Sequence, residues 1–143
     1  MDDSYFLDRM DKDVHGQLDS VRGIYLAPMS RENDIEIISV SKDSVRTSME
    51  LKEKHMNGNR VAHGAATFIL IDDTFAFASN LFEPAVGVNV SVSYHRPALG
   101  GTLEAVSQLV SETRSLSVFD IKVYCSGKHI ATAVCTAFKT GKK

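Results

Sequence analysis

Residues 57–80, NGNRVAHGAATFILIDDTFAFASN, constrain the fold most strongly, because an apolar run that opens with His63-Gly64 carries adjacent carboxylates, Asp72 and Asp73, through its middle. Ala65, Ala66, Phe68, Ile69, Leu70, Phe75, Ala76 and Phe77 fall on all sides at a 3.6-residue period, which predicts a helix over 63–80 buried nearly all round. Burying an unpaired carboxylate is costly, so a chain keeps one in such a helix for a partner, a turn or chemistry. Asn57, Gly58, Asn59 and Gly64 make the approach a turn-rich loop.

Strand signals surround this helix. IEIISVS, a turn at Lys42-Asp43 and VRTSMEL read as a hairpin. After Pro84, VGVNVSVSYHRP alternates Val86, Val88, Val90, Val92 and Tyr94 against Gly87, Asn89, Ser91, Ser93 and His95. Gly100-Gly101 turns the chain, and residues 102–113, 115–125 and 129–139 supply three more β runs. At the N-terminus, Phe6, Leu7, Met10, Val14 and Leu18 predict one amphipathic leader helix outside the core, ending before Gly23, with residues 24–29 as a linker or short edge segment. The order predicts an α+β architecture: an antiparallel sheet, its last four strands a meander, wrapped around one helix.

At 143 residues and 43% hydrophobic, the chain holds one domain with a proper core. A net charge of −2 gives no footprint for nucleic acid. Cys125 and Cys135 lie outside any CxxC or Cys/His cluster and read as small core residues in a reducing compartment, with no metal site. His15, His55, His95 and His129 show no ligand spacing and read as surface or packing residues. Neither a basic-then-apolar leader nor a run of about 20 apolar residues occurs, so the expectation is a cytoplasmic protein without a membrane partner.

The first N–H groups of a helix starting at His63-Gly64 are unpaired and carry the positive end of its dipole, so the Gly64 N–H is placed to polarise a carbonyl oxygen. Asp72 lies about 12 Å further along the axis, too far for both to touch one reacting carbon. If both are catalytic, the site is shared by two subunits with antiparallel central helices. Each residue also has a plainer role open to it. Asp72 can be a buried carboxylate bonded to backbone or hydroxyl groups, His63 a hydrogen bonder at the helix entry, Asn57 a turn residue and Arg96 a solvated charge. Asp73 points about 100° away from Asp72 and reads as structural or at a cleft edge.

The pattern N-x5-HG-x7-D, formed by Asn57, His63, Gly64 and Asp72, is followed by DTFAFASN and then by VSVSYHRPA-x-GG ahead of further strands. Over about residues 35–139 this resembles the PaaI-like branch of the hotdog-fold acyl-CoA thioesterases. The resemblance implies a curved antiparallel sheet around a long helix, dimers that pair into tetramers, and hydrolysis of acyl-CoA without metal or organic cofactor. It places Asp72 as general base or nucleophile, Gly64 as the donor to the thioester carbonyl, and His63 and Asn57 as residues that orient the thioester and departing thiol. Arg96 and Arg114 are candidates for the CoA phosphates. Residues 1–34 become an N-terminal helical extension that could cover a subunit edge or the ligand mouth, and residues 35–143 the hotdog domain.

Two departures stand out. Ala65 follows His63-Gly64 where His-Gly-Gly is common, and Gly87 stands where many relatives carry Ser or Thr to hold the water. Asn89 or Ser91, read as sharing the Gly87 face, are candidate substitutes. A non-catalytic hotdog module that binds acyl-CoA or a partner is the alternative these losses permit, and a hotdog dehydratase or hydratase ranks last.

Overall fold

The computed structural model describes residues 2–141. Among them, α-helices and strands follow the chain in this order: α1 (Ser4–Leu7), α2 (Leu18–Tyr25), α3 (Pro28–Glu32), β1 (Glu36–Val40), β2 (Val45–Glu50), the long α4 (Gly64–Ser79), β3 (Ala85–Tyr94), β4 (Thr102–Glu112), β5 (Leu116–Cys125) and β6 (Lys128–Lys139). The strands form one antiparallel sheet in the order β1-β2-β4-β5-β6-β3, with α4 against one face. This is the hotdog architecture.

The strand boundaries follow the alternation, but the connection does not. β3 runs to the far edge and pairs with β6, so only β4, β5 and β6 form a meander. Alternation shows that a segment is extended, and says nothing about which neighbour it takes.

Small side chains at Ala131, Ala133, Cys135 and Ala137 occupy alternate, inward positions of β6 and leave room for α4. Leu70, Ile71 and Phe75 fill that space, each burial contributing about 1.5–3 kcal/mol. Thr74 is fully buried yet satisfied, since its hydroxyl donates to the Leu70 carbonyl and meets Thr47 Oγ1 at 2.7 Å. α4 is not covered all round: Ala65, Phe68 and Asp72 form an exposed stripe at spacings of three and four.

The expected single leader helix is instead α1, a 3₁₀ segment (Lys12–Gln17), α2 and α3. α2 continues through Gly23 because Val21 and Tyr25 need its turns to reach the core. The segment expected as a linker at 24–29 is the end of α2 and the start of α3, where Pro28 at the first helical position needs no N–H partner. This region is not outside the core. Phe6, Val14 and Val21 are buried against Ile37, Val40 and Phe77 in a second apolar cluster. Asp11 N–H donates to the Val40 carbonyl and Val40 N–H to the Arg9 carbonyl, both at 2.9 Å, so the N-terminal segment covers the β1 edge of the sheet.

Candidate active site

The loop between β2 and α4 is built on His55. Its ring is buried, Nδ1 accepts from Lys52 N–H and Nε2 donates to Asn33 Oδ1, both at 2.9 Å. That pattern requires the neutral ring, and burial, reinforced by Lys54 and Lys52, holds its pKa below the usual histidine value. The His55 carbonyl then accepts His63 N–H at 2.8 Å, which fixes where α4 begins. Asn57 closes the intervening turn, its Oδ1 accepting from Asn59 N–H at 2.8 Å and Val61 N–H at 3.3 Å.

His63 has extended backbone angles and its Nδ1 accepts from Ala65 N–H at 3.2 Å, so the side chain is the helix N-cap. Gly64 N–H has no hydrogen-bond partner among the described residues. A donor at the positive end of a 16-residue helix is thus free to meet a ligand oxygen. Tyr94 lies directly over this start. Its hydroxyl donates to the Gly64 carbonyl at 3.0 Å, and a Cβ on Gly64 would come within 3.3 Å of Tyr94 Cζ. Gly64, Thr67, Tyr94, His95 and Arg96 line a cleft of about 370 Å³ here. In the sequence Tyr94 is only one member of a strand alternation. Nothing local marks a contact thirty residues away.

Asp72 lies two turns further along the same helix, at the exposed stripe, and partial burial raises its pKa above the ordinary carboxylate value. It borders a second cleft, of about 290 Å³, between α4 and residues 27–35. Asp73 lines the same cleft on the side toward α3. Ser30 Oγ donates to Asp73 Oδ1 at 2.8 Å, while Oδ2 is buried with no partner among the described residues. Burial pushes the Asp73 carboxyl up to about 6; Asp72 adds to the shift, and the Ser30 hydrogen bond and Arg31 oppose it.

The remaining candidates fall into separate places. Arg96 lines the cleft at Gly64, whereas Arg114 lies in the β4–β5 turn at the other end of the sheet. The register puts Tyr94 opposite Ala131 and Leu116 opposite Phe138, so the two arginines of one chain are separated by about 23 Å of β6. Asn89 and Ser91 do not share the Gly87 face. A bulge between Gly87 and Asn89 shifts the parity: Gly87 faces inward opposite Ala137, while Asn89 and Ser91 pair with Thr136 and Val134 on the outer face. Phe75 Cε2 stands 2.8 Å from where a Cβ on Gly87 would be, so the ring takes the space a Ser or Thr would need.

An antiparallel sheet wrapped on one helix, with a free N–H at the helix start and a carboxylate two turns along, defines a hotdog protein with a candidate hydrolytic site. The chain matches the thioesterase superfamily over residues 59–132, more than half its length, and belongs to that superfamily. Its fold is similar to that of the E. coli PaaI protein from the phenylacetic acid degradation operon, with a TM-score of 0.85 and 25% identity, covering 91% of this chain and 97% of that one. It is also similar to a mutant of the phenylacetic acid degradation protein PaaI from Thermus thermophilus (TM-score 0.77, 26% identity, 79% and 99% coverage). A Streptococcus mutans protein bound to acetyl-CoA is similar at a TM-score of 0.72 and 29% identity, covering 76% of this chain and 90% of that one. A Deinococcus radiodurans protein named "Putative esterase" is 34% identical over 88 residues, which make up 61% of this chain and 60% of that protein. The chain therefore spans under two thirds of that relative's length.

Proposed function

We propose that the protein hydrolyses an acyl-CoA thioester to a free acid and CoA in a site shared by two copies of the chain. In this reading Asp72 takes a proton from water, or attacks the carbonyl itself, while the Gly64 N–H of the second copy holds the developing oxyanion. With water as nucleophile, its oxygen bonds to the acyl carbon, the C–S bond breaks, and the proton held by Asp72 passes to the thiolate. A thiolate leaves readily, so one base and one oxyanion donor suffice. Asn57 and His63 hold the loop and helix start, and Arg96, beside the Gly64 cleft, is the nearer candidate for a CoA phosphate.

The observation that carries the reading is the free Gly64 N–H on the same helix as Asp72, about 12 Å apart. Two features support a second copy at this place. Among the described residues β3 is paired only on its β6 side and keeps Val86, Val88 and Tyr94 exposed, while the β1 edge is already covered. Pairing β3 with its own copy across a two-fold axis would cover the stripe of Ala65, Phe68 and Asp72 and lay the two α4 helices antiparallel, each Gly64 toward the other's Asp72.

Thiol release followed across short, medium and aromatic acyl-CoAs tests the reading. The parent should release CoA from at least one, and Asp72→Asn should be slower by about 10²-fold or more. Saturable binding with no thiol release would replace the enzyme with a non-catalytic acyl-CoA module.

A further inference from the structure

The N-terminal segment does more than cover an edge of the sheet. Ala27, Met29, Ser30 and Ile35 form one wall of the 290 Å³ cleft, and Phe68, Ile69, Asp72 and Asp73 of α4 the other. Five of these eight are apolar, and the volume of about 290 Å³ lies just below the roughly 300–1,000 Å³ usual for small-ligand pockets. The wall is held in place along its length. Buried Ser30 donates to Asp73 Oδ1, Asn33 accepts from His55, and Lys54 Nζ donates to the Glu32 carbonyl. Arg31 Nε also bonds the Tyr25 carbonyl at 2.6 Å, joining α3 back to α2.

Met29 is the exception. It stands between Pro28 and the anchored Ser30, yet is 62% exposed, an unbranched apolar side chain on a fixed backbone at the edge of the cleft. A thioester whose carbonyl is within reach of Asp72 stands at this cleft.

We propose that residues 27–35 are the wall of the acyl pocket and that Met29 sets the length of acyl group the protein accepts. This rests on the reading of Asp72 as the group that acts on the thioester. Met29 is then a specificity-determining residue with no part in the bond-breaking step. The substrate class is an acyl-CoA with a short acyl chain, and longer chains are excluded by the thioether rather than by the core.

The test is kcat/KM for straight-chain acyl-CoAs of increasing length, with the parent, Met29→Ala, Met29→Phe and Leu26→Ala. Leu26 is exposed in the same region and outside the cleft, so it controls for loosening of the segment. Met29→Ala should raise the long-to-short ratio by about tenfold, mainly through KM, Met29→Phe should lower it, and Leu26→Ala should keep the parental ratio. Equal ratios in parent and Met29→Ala would overturn the assignment while leaving a thioesterase in place. Affinities of the same acyl-CoAs for Asp72→Asn, with and without Met29→Ala, give a readout that needs no turnover. A length dependence that moves with Met29 there upholds the pocket even if the parent proves inactive, and the absence of length-dependent binding overturns it.

Discussion

The Phe75 ring fills the space in front of Gly87: a Cβ at that glycine would lie 2.8 Å from Phe75 Cε2. Phe75 is itself buried and edge-on to Phe119, with ring centroids 6.1 Å apart, so it cannot retreat freely. The missing hydroxyl on the strand after the helix is therefore one half of a packing pair.

Gly87→Ser should destabilise the fold by about 1–3 kcal/mol, as overpacking does. In a Phe75→Leu background, where the ring is gone, the same change should cost less. Denaturant unfolding of the four proteins measures the coupling, and additive effects would show that the contact does not limit position 87.

Asp73 gives the fold a pH dependence of definite sign. Its folded carboxyl is held at about 6 against a reference of 3.8, so the folded state binds the proton more tightly, and stability declines as pH rises from about 4 to about 6. The penalty above that window is on the order of 2–3 kcal/mol. Asp73→Asn keeps an acceptor for Ser30 and removes the charge. Its stability relative to the parent should improve across the window, and a pH-independent difference between the two would contradict the assignment.

Asp72 ties the same physics to rate. Its pKa is raised by burial, and a base works only when deprotonated, so activity should fall as pH drops below a midpoint higher than 3.8. The acid limb of kcat/KM should be present in the parent and missing from the residual activity of Asp72→Asn. A parental limb at or below the ordinary carboxylate value would place the base elsewhere.

How much the sequence disclosed depends on range. Local periodicity locates α4 and each strand because those patterns repeat within one element. The bulge at Gly87 is invisible in sequence because it is a mismatch between β3 and β6, and it moves Asn89 and Ser91 to the face away from α4. The leader looks like one helix because Phe6, Met10, Val14 and Leu18 keep helical spacing across pieces that are separate elements. At the candidate site, the Gly64 and Asp72 spacing is a local property of one helix. Tyr94 over Gly64, Ser30 on Asp73 and His55 joined to Asn33 are long-range contacts without a local signature.

The shared site is tested most directly by mixing subunits disabled at opposite ends of α4. Gly64→Pro removes the N–H at the first helical position, where proline suits the backbone and His63 already has the extended conformation that must precede it. The proline Cβ would press on Tyr94 Cζ at 3.3 Å, so the fold of the variant is checked by denaturant unfolding. With Asp72→Asn as the other partner, each variant alone should be nearly inactive. After random exchange at equal amounts, half the dimers are mixed and each mixed dimer regains one intact site, so about a quarter of parental thiol release should return. No recovery, with exchange demonstrated, would contradict a site built from Asp72 of one copy and Gly64 of the other.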